Sequence, residues 1–244
     1  MPQAFKQSER CLMKNVAFAI ILYSFMSTAF GAIDAEPAVI YWDSESGKAL
    51  RARIPSDADY WELIPTFAMQ STQSYCSVAS AITVLNAMPI KKPVDPEYAP
   101  YAYFTQRNYF TSGVIKIISP QVVLQIGMTR EQMAETLSAQ GVQAKSIAGD
   151  TLNDESLRAL LQKTLLDDGQ FVLANYLRAK LGQVGGGHWS VLAAFDAQSD
   201  RVLILDVAKY KYPPVWVSIS TLRQAIATID TTSNKARGLV LVFQ

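Results

Sequence analysis

Gln70-Ser71-Thr72-Gln73-Ser74-Tyr75-Cys76-Ser77-Val78-Ala79-Ser80, continuing as Ala81-Ile82-Thr83-Val84-Leu85-Asn86-Ala87, decides the reading of this chain. A polar, irregular approach ends at a cysteine and good helix formers follow, which predicts a helix that starts at Cys76. The first turn of a helix leaves backbone N–H groups unpaired and carries the positive end of the dipole. A sulfur placed there is favoured as thiolate, the nucleophilic form. Val78, Ile82 and Leu85 stand four and three apart, an apolar face that can bury one side of the helix and hold the cysteine rigid. A cysteine by itself reads more readily as a small buried hydrophobe. The case for chemistry therefore rests on what surrounds it.

The chain has 244 residues, half of them hydrophobic, and a formal net charge of +1. That suits one globular domain with a real core, and the charge balance gives no argument for nucleic acid or an acidic partner. Upstream, Lys6, Arg10 and Lys14 precede an apolar run from Val16 to Phe25, and Ser27-Thr28-Ala29-Phe30-Gly31-Ala32 offers small residues for cleavage after Gly31 or Ala32. This is an export-signal pattern, placing the folded part in a periplasm or outside the cell. An uncleaved membrane anchor is the alternative, although the apolar run is shorter than a full span. The expected organisation is a signal peptide over 1–31, an N-terminal arm over 32–59 and the main domain over 60–244. Cys11 falls in the leader, so Cys76 is left as the mature chain's only cysteine and no internal disulfide forms. A lone thiol in an oxidising compartment is a liability unless it is used or fully buried. With one histidine in the sequence, no metal site of the usual His/Cys type is expected.

Downstream, Pro89, Pro93, Pro96 and Pro100 end the cysteine helix and make 89–100 irregular. The aromatic stretch 101–126 reads as core and wall. Thr129 with Gln132 forms a capping box for a helix to Ala139, which Gly141 stops. Asn153 or Asp154 caps a second helix through Leu157, Leu160, Leu161 and Leu165 to Asp168-Gly169. The period then changes. Phe171 to Tyr176, His188 to Phe195 and Val202 to Val207 read as strands, the last two joined as a hairpin by the turn residues 196–200. Ser218 to Ile229 reads as an amphipathic helix and Gly238 to Phe243 as a final strand. Helices first and antiparallel strands second give an α+β architecture with two lobes.

A thiolate nucleophile needs a base, a group to orient that base, and donors for an oxyanion. The base can only be His188, which follows Gly185-Gly186-Gly187, where a substrate can come close. Asp206 ends an otherwise apolar strand, where a carboxylate is costly unless paired. Hairpin pairing can bring it to His188, to fix the imidazole tautomer; a strand-end turn residue is the other reading. Gln70, six residues before Cys76, is the oxyanion donor candidate beside the Cys76 N–H, although alone it reads more readily as a loop glutamine. The order Gln–Cys–His–Asp, helical around the cysteine and sheet-like around the other two, is that of papain-like thiol enzymes.

Three stretches extend the likeness: Gln70 through Ala87, the Gly187-His188 turn, and Ile204 through Val217, which contains Asp206-Val207-Ala208-Lys209-Tyr210-Lys211-Tyr212-Pro213-Pro214. Over residues 60–243 the chain resembles the phytochelatin synthase family. The resemblance implies a papain-like fold and attack of Cys76 on the Cys–Gly amide of glutathione. His188 would protonate the departing glycine, and water or a second glutathione would resolve the γ-Glu-Cys acyl-enzyme. A papain-like protease acting on other peptides is the alternative. The resemblance also implies that Asp230 and Arg237 hold the amino and carboxylate ends of the γ-glutamyl group, with Gly187, Tyr212 and Lys209 at the substrate. No cofactor is required; Cd2+ or Zn2+ enters as a thiolate complex of glutathione. A homodimer is left open. Ser77, Val191 and Lys209 depart from the family's usual Gly, Pro and Arg. The Cys-rich C-terminal extension of plant and fungal members is expected to be lacking, which favours hydrolysis over polymer synthesis.

Overall fold

Alternate residues along the strands of the second half face two different hydrophobic cores. Phe171 and Leu173, Leu203 and Leu205, and Val240 and Val242 belong to one core; Val172 and Ala174, Val202 and Ile204, and Leu239 and Leu241 belong to the other. A sheet buried on both faces needs apolar residues on both, which is why these strands read as unbroken apolar runs. The computed structural model describes residues 37–167 and 169–244. The expected signal peptide, Cys11 and the start of the arm lie outside the described residues, as does Asp168. Pro37–Gln244 forms one compact body.

In chain order, β1 (Val39–Tyr41) is followed by α1 (Glu45–Arg51), α2 (Tyr60–Leu63), α3 (Cys76–Ala87), α4 (Ser112–Ile115), α5 (Pro120–Ile126) and α6 (Arg130–Ser138). Then come β2 (Gln143–Ala148), α7 (Asp154–Thr164), β3 (Gln170–Leu177), β4 (Gly187–Asp196), β5 (Arg201–Leu205) and β6 (Val215–Ser218). The chain closes with α8 (Ile219–Ile226), the small hairpin β7 (Ile229–Asp230) and β8 (Lys235–Ala236), and β9 (Gly238–Phe243). Seven strands form one antiparallel sheet in the order β1-β6-β5-β4-β3-β9-β2. The α+β class is as expected. The helices cover both faces of the sheet: α3 and α6 contribute to one core, α7 and α8 to the other.

Local chemistry explains the helix starts. Thr129 and Gln132 form the expected capping box of α6, and Asn153 caps α7 reciprocally with Ser156. Ser218 caps α8. Three expectations need correction. The arm is not a separate element, because β1 pairs with β6 at the sheet edge and α1 buries Gly47 and Leu50. The first half is not purely helical, because β2 pairs with β9 along its whole length. Finally, α3 is not half-exposed: every residue from Cys76 to Asn86 is buried, so this is a central helix, apolar or small on all sides.

Candidate active site

Cys76 is the first residue of α3, and Tyr75 before it supplies no side-chain cap. The open N–H groups of that turn are therefore left beside the sulfur. The preceding loop is held at three points. Gln70 N–H donates to Val207 O (2.9 Å), Ser71 N–H to Gln106 Oε1 (2.9 Å), and Gln106 Nε2 to Met69 O (2.9 Å). Burial pushes the Cys76 thiol up, but the charge and hydrogen bond of His188, with backbone N–H groups of Trp189 and Ser77, outweigh it and bring the thiol below its ordinary value.

His188 sits near the start of β4, opposite Tyr176 of β3, whose ring meets the imidazole edge-on at 5.6 Å. Its Nε2 is 2.9 Å from Asp206 Oδ1, which leaves Nδ1 as the nitrogen for the thiol. Pairing of β4 with β5 brings Val191 opposite Leu205, and Asp206 follows directly. Burial pushes His188 down, but the Cys76 and Asp206 charges and hydrogen bonds outweigh it and raise the imidazole above its ordinary value. Asp206 is fully buried. Burial raises its carboxyl, but hydrogen bonds from His188 and Arg178 bring it down to about 2. The Cys76 thiolate and the His188 imidazolium each favour the charged form of the other. The signs give a pH profile: a lowered thiol puts the acid limb of Cys76 reactivity below the usual thiol range, and a raised imidazole puts the basic limb above the usual histidine range. Iodoacetamide should alkylate Cys76 at pH 6 at least about tenfold faster than a free cysteine. A single limb in the ordinary thiol range would contradict the pairing.

Gln70 is 3% exposed, and its Nε2 donates to Thr72 O (2.8 Å) and to Tyr210 Oη (2.8 Å). Two clefts meet at Gly187 and His188. One, about 320 Å³, is lined by Gln70, Arg178, Gly185, Tyr210 and Lys211; the other, about 170 Å³, by Cys76, Met128, Asn175, Asp230 and Arg237. In the smaller cleft, Arg237 Nη1 donates to Asn175 Oδ1 (2.8 Å) and Nη2 lies 3.7 Å from Asp230 Oδ1. A Cβ at Gly187 would come 2.2 Å from Arg237 Nη1, so any larger residue there displaces the guanidinium.

Cys76, His188 and Asp206 thus come together; Gln70 lines the larger cleft with His188, and Gly187, Asp230 and Arg237 line the smaller cleft with the thiol. Lys209 and Tyr212 do not join them. Lys209 Nζ donates to Phe67 O (2.7 Å) and lies over the Phe67 ring, and neither cleft includes it. Tyr212 Oη accepts from Val184 N–H (2.8 Å), so this side chain braces the glycine loop.

The model of the family described as phytochelatin synthase matches residues 32–239. The chain belongs to the phytochelatin synthase family. Among its relatives, glutathione gamma-glutamylcysteinyltransferase 1 of Triticum aestivum is 30% identical over 209 residues, covering 84% of this chain and 41% of the wheat protein. Glutathione gamma-glutamylcysteinyltransferase 1 of Arabidopsis thaliana is 29% identical over 184 residues, 75% of this chain and 36% of its own length. Glutathione gamma-glutamylcysteinyltransferase of Schizosaccharomyces pombe is 23% identical over 235 residues, 95% of this chain and 55% of the yeast protein. The chain thus spans about two fifths to one half of these phytochelatin synthase relatives. The match begins before β1, in keeping with β1 and α1 as parts of the domain.

Three residues around this site escape a reading of the sequence. Arg178 binds Asp206 through both terminal nitrogens, Asn175 holds Arg237, and Tyr176 lies against His188. Arg178 and Asn175 are buried polar residues on or next to β3, and such residues need partners.

Proposed function

We propose that this protein is a thiol acyltransferase and hydrolase that cleaves the Cys–Gly amide of glutathione. The observation that carries the reading is the buried line Cys76, His188, Asp206, opening beside an Asp230–Arg237 pair at the scale of one amino-acid group. The Cys76 sulfur anion attacks the carbonyl carbon, and the C–S bond forms as the carbonyl electrons move onto oxygen. The Cys76 N–H and the Gln70 amide are the donors for that oxyanion, once the substrate oxygen replaces Tyr210 Oη as an acceptor of Gln70 Nε2. The oxyanion collapses, the C–N bond breaks, and His188 gives its proton to the glycine nitrogen. A γ-Glu-Cys thioester remains on Cys76. Neutral His188 then takes a proton from water, giving γ-Glu-Cys, or from the amine of a second glutathione, giving a phytochelatin. Asp206 keeps the imidazole oriented throughout.

The γ-glutamyl end of glutathione is a zwitterion, and the smaller cleft offers both signs. Arg237 takes the α-carboxylate with its fork, and Asp230 takes the ammonium. A Cβ at Gly187 would push the Arg237 guanidinium off its Asn175 anchor. Gly187→Ala is therefore expected to raise KM for glutathione about tenfold, the scale of one strong charge-assisted hydrogen bond. Unchanged KM in a folded variant would remove Arg237 from the substrate site.

The arrangement of a cysteine helix against a sheet that bears histidine and aspartate supports a papain-like ancestry. The basic-then-apolar leader supports export to a periplasm. Cadmium or zinc belongs in this scheme as a thiolate complex of the substrate. Purified protein with glutathione, with and without cadmium, tests the function by mass. Expected are γ-Glu-Cys and glycine, with longer (γ-Glu-Cys) chains as a minor product. Cleavage of ordinary α-peptides with no glycine from glutathione would replace this function by that of a general peptidase.

A further inference from the structure

The Arg178 guanidinium lies behind the triad. Its Nη1 and Nη2 donate to Asp206 Oδ2 (2.7 Å) and Oδ1 (2.9 Å), and Nη1 also donates to Gln183 Oε1 (2.6 Å). The residue is 3% exposed. Asp206 Oδ1 is shared with His188 Nε2 (2.9 Å) and with the Ala208 N–H (2.9 Å). A carboxylate gripped by a two-pronged donor cannot rotate, so the oxygen aimed at the imidazole is fixed in place. The same contact draws part of the carboxylate's charge away from the imidazolium.

Arg178 also ties down the loop that precedes His188. Its N–H donates to Gly186 O (3.1 Å), and its carbonyl accepts from the Gln183 N–H (3.1 Å). Its guanidinium lies 5.1 Å from the centre of the Tyr212 ring, and Tyr212 in turn holds Val184. The Arg178 backbone thus holds the glycine loop, while its side chain grips the triad carboxylate, Gln183 and the Tyr212 ring.

We propose that Arg178 is a positioning residue: it fixes the Asp206 carboxylate toward His188 and, by sharing that charge, limits the pH range over which the imidazole stays protonated. The groups facing His188 are Cys76 from α3, Tyr176 from β3, Asp206 after β5, and Lys211, Tyr210, Asp230 and Arg237 around the two clefts. Arg178 is the one cation among the described residues bonded directly to Asp206 in addition to His188.

The proposal rests on Cys76, His188 and Asp206 as the reacting groups, and its test needs no glutathione. His188 is the sole histidine, so 15N-histidine labelling of untagged protein gives one imidazole to titrate. Arg178→Met removes the fork and the charge, and the His188 midpoint should rise by about one pH unit, a common size for one neighbouring charge. Arg178→Lys keeps a charge and loses the fork, and should move the midpoint less than half as far. With glutathione, Arg178→Lys should lower kcat about tenfold and leave KM within about twofold, the split expected when geometry rather than binding is lost. An unmoved midpoint in both variants overturns the proposal, as does a tenfold rise in KM with kcat kept. If Arg178→Met does not fold, Arg178→Gln, which also removes the charge, takes its place, and an unmoved midpoint there overturns the proposal. If glutathione is not the substrate, wild-type turnover is absent while the upward shift of the midpoint persists, so the two failures are separable.

Discussion

Cys76→Ala is expected to abolish turnover, by about 10⁵-fold or more, and to leave the fold intact. Deleting the nucleophile of comparable triads costs about 10⁶ in kcat, because the remaining groups have no covalent step to assist. Cys76 carries the one free thiol of the described residues, so no neighbouring sulfur substitutes for it. The structural cost is small: alanine is a better helix former, and the space left by one sulfur atom costs about 1 kcal/mol in a core that includes Val78, Ile82 and Leu85. Mass spectrometry of wild-type protein mixed with glutathione should find γ-Glu-Cys bound at Cys76. The alanine variant should carry none, with unchanged circular dichroism. Cys76→Ser keeps the shape but not the acidity, since this imidazole ionises a thiol far more readily than an alcohol. It should fall within about tenfold of the alanine variant. Turnover by Cys76→Ala within about tenfold of wild type would dismiss Cys76 as the nucleophile.

Why Cys76, His188 and Asp206 are legible in sequence, while Arg178 and Asn175 are not, follows from what each signal requires. A cysteine that opens a run of helix formers, a single histidine after three glycines, and a carboxylate ending an apolar strand each break a local pattern. Arg178 follows directly on β3, and only the pairing of distant strands reveals that it meets Asp206, 28 residues away. Composition cannot carry that contact. The same limit explains the sheet. β2, Gln-Ala-Lys-Ser-Ile-Ala, is polar on one side because it is an edge strand, and its strand character comes from pairing with β9 rather than from β-branched residues. β1 is three residues long and depends on β6 in the same way. The reading of α3 as amphipathic also failed for a physical reason. Ser77, Ser80 and Thr83 look like a polar face, yet all three are buried. Thr83 Oγ1 meets its own demand by donating to Ala79 O (2.8 Å) and accepting from Ala68 N–H (3.1 Å). Lys209 and Tyr212 belong to a sequence run that marks the family, and the fold uses them to brace Phe67 and Val184.

Asp206→Asn is expected to cost both catalysis and stability, and pH separates the two. In wild-type protein the carboxylate neutralises a buried guanidinium and orients the imidazole at once. The amide leaves the Arg178 charge without its counter-ion, and breaking a buried pair on one side costs about 3–5 kcal/mol. For a domain of this size that is a fall in Tm of about 10 °C. Turnover should drop about 10⁴-fold, the scale of the same exchange in a serine triad, because the amide no longer stabilises the imidazolium. The acid dependence follows from the sign of the shift. Asp206 is lowered from 3.8 to about 2 in the folded protein, so its stabilisation is complete above pH 4 and is lost as pH falls toward 2. The amount is about 2 kcal/mol. Asp95 and Asp196 are also held below their ordinary values, but both variants retain them, so they cancel in the difference. The Tm gap between wild type and Asp206→Asn should therefore narrow between pH 4 and pH 2. A gap that stays constant to pH 2 would mean that the carboxylate is not held ionised by its neighbours. Adding Arg178→Met to Asp206→Asn should recover part of the lost stability, because the stranded cation, rather than the missing hydrogen bond, is the larger part of the cost.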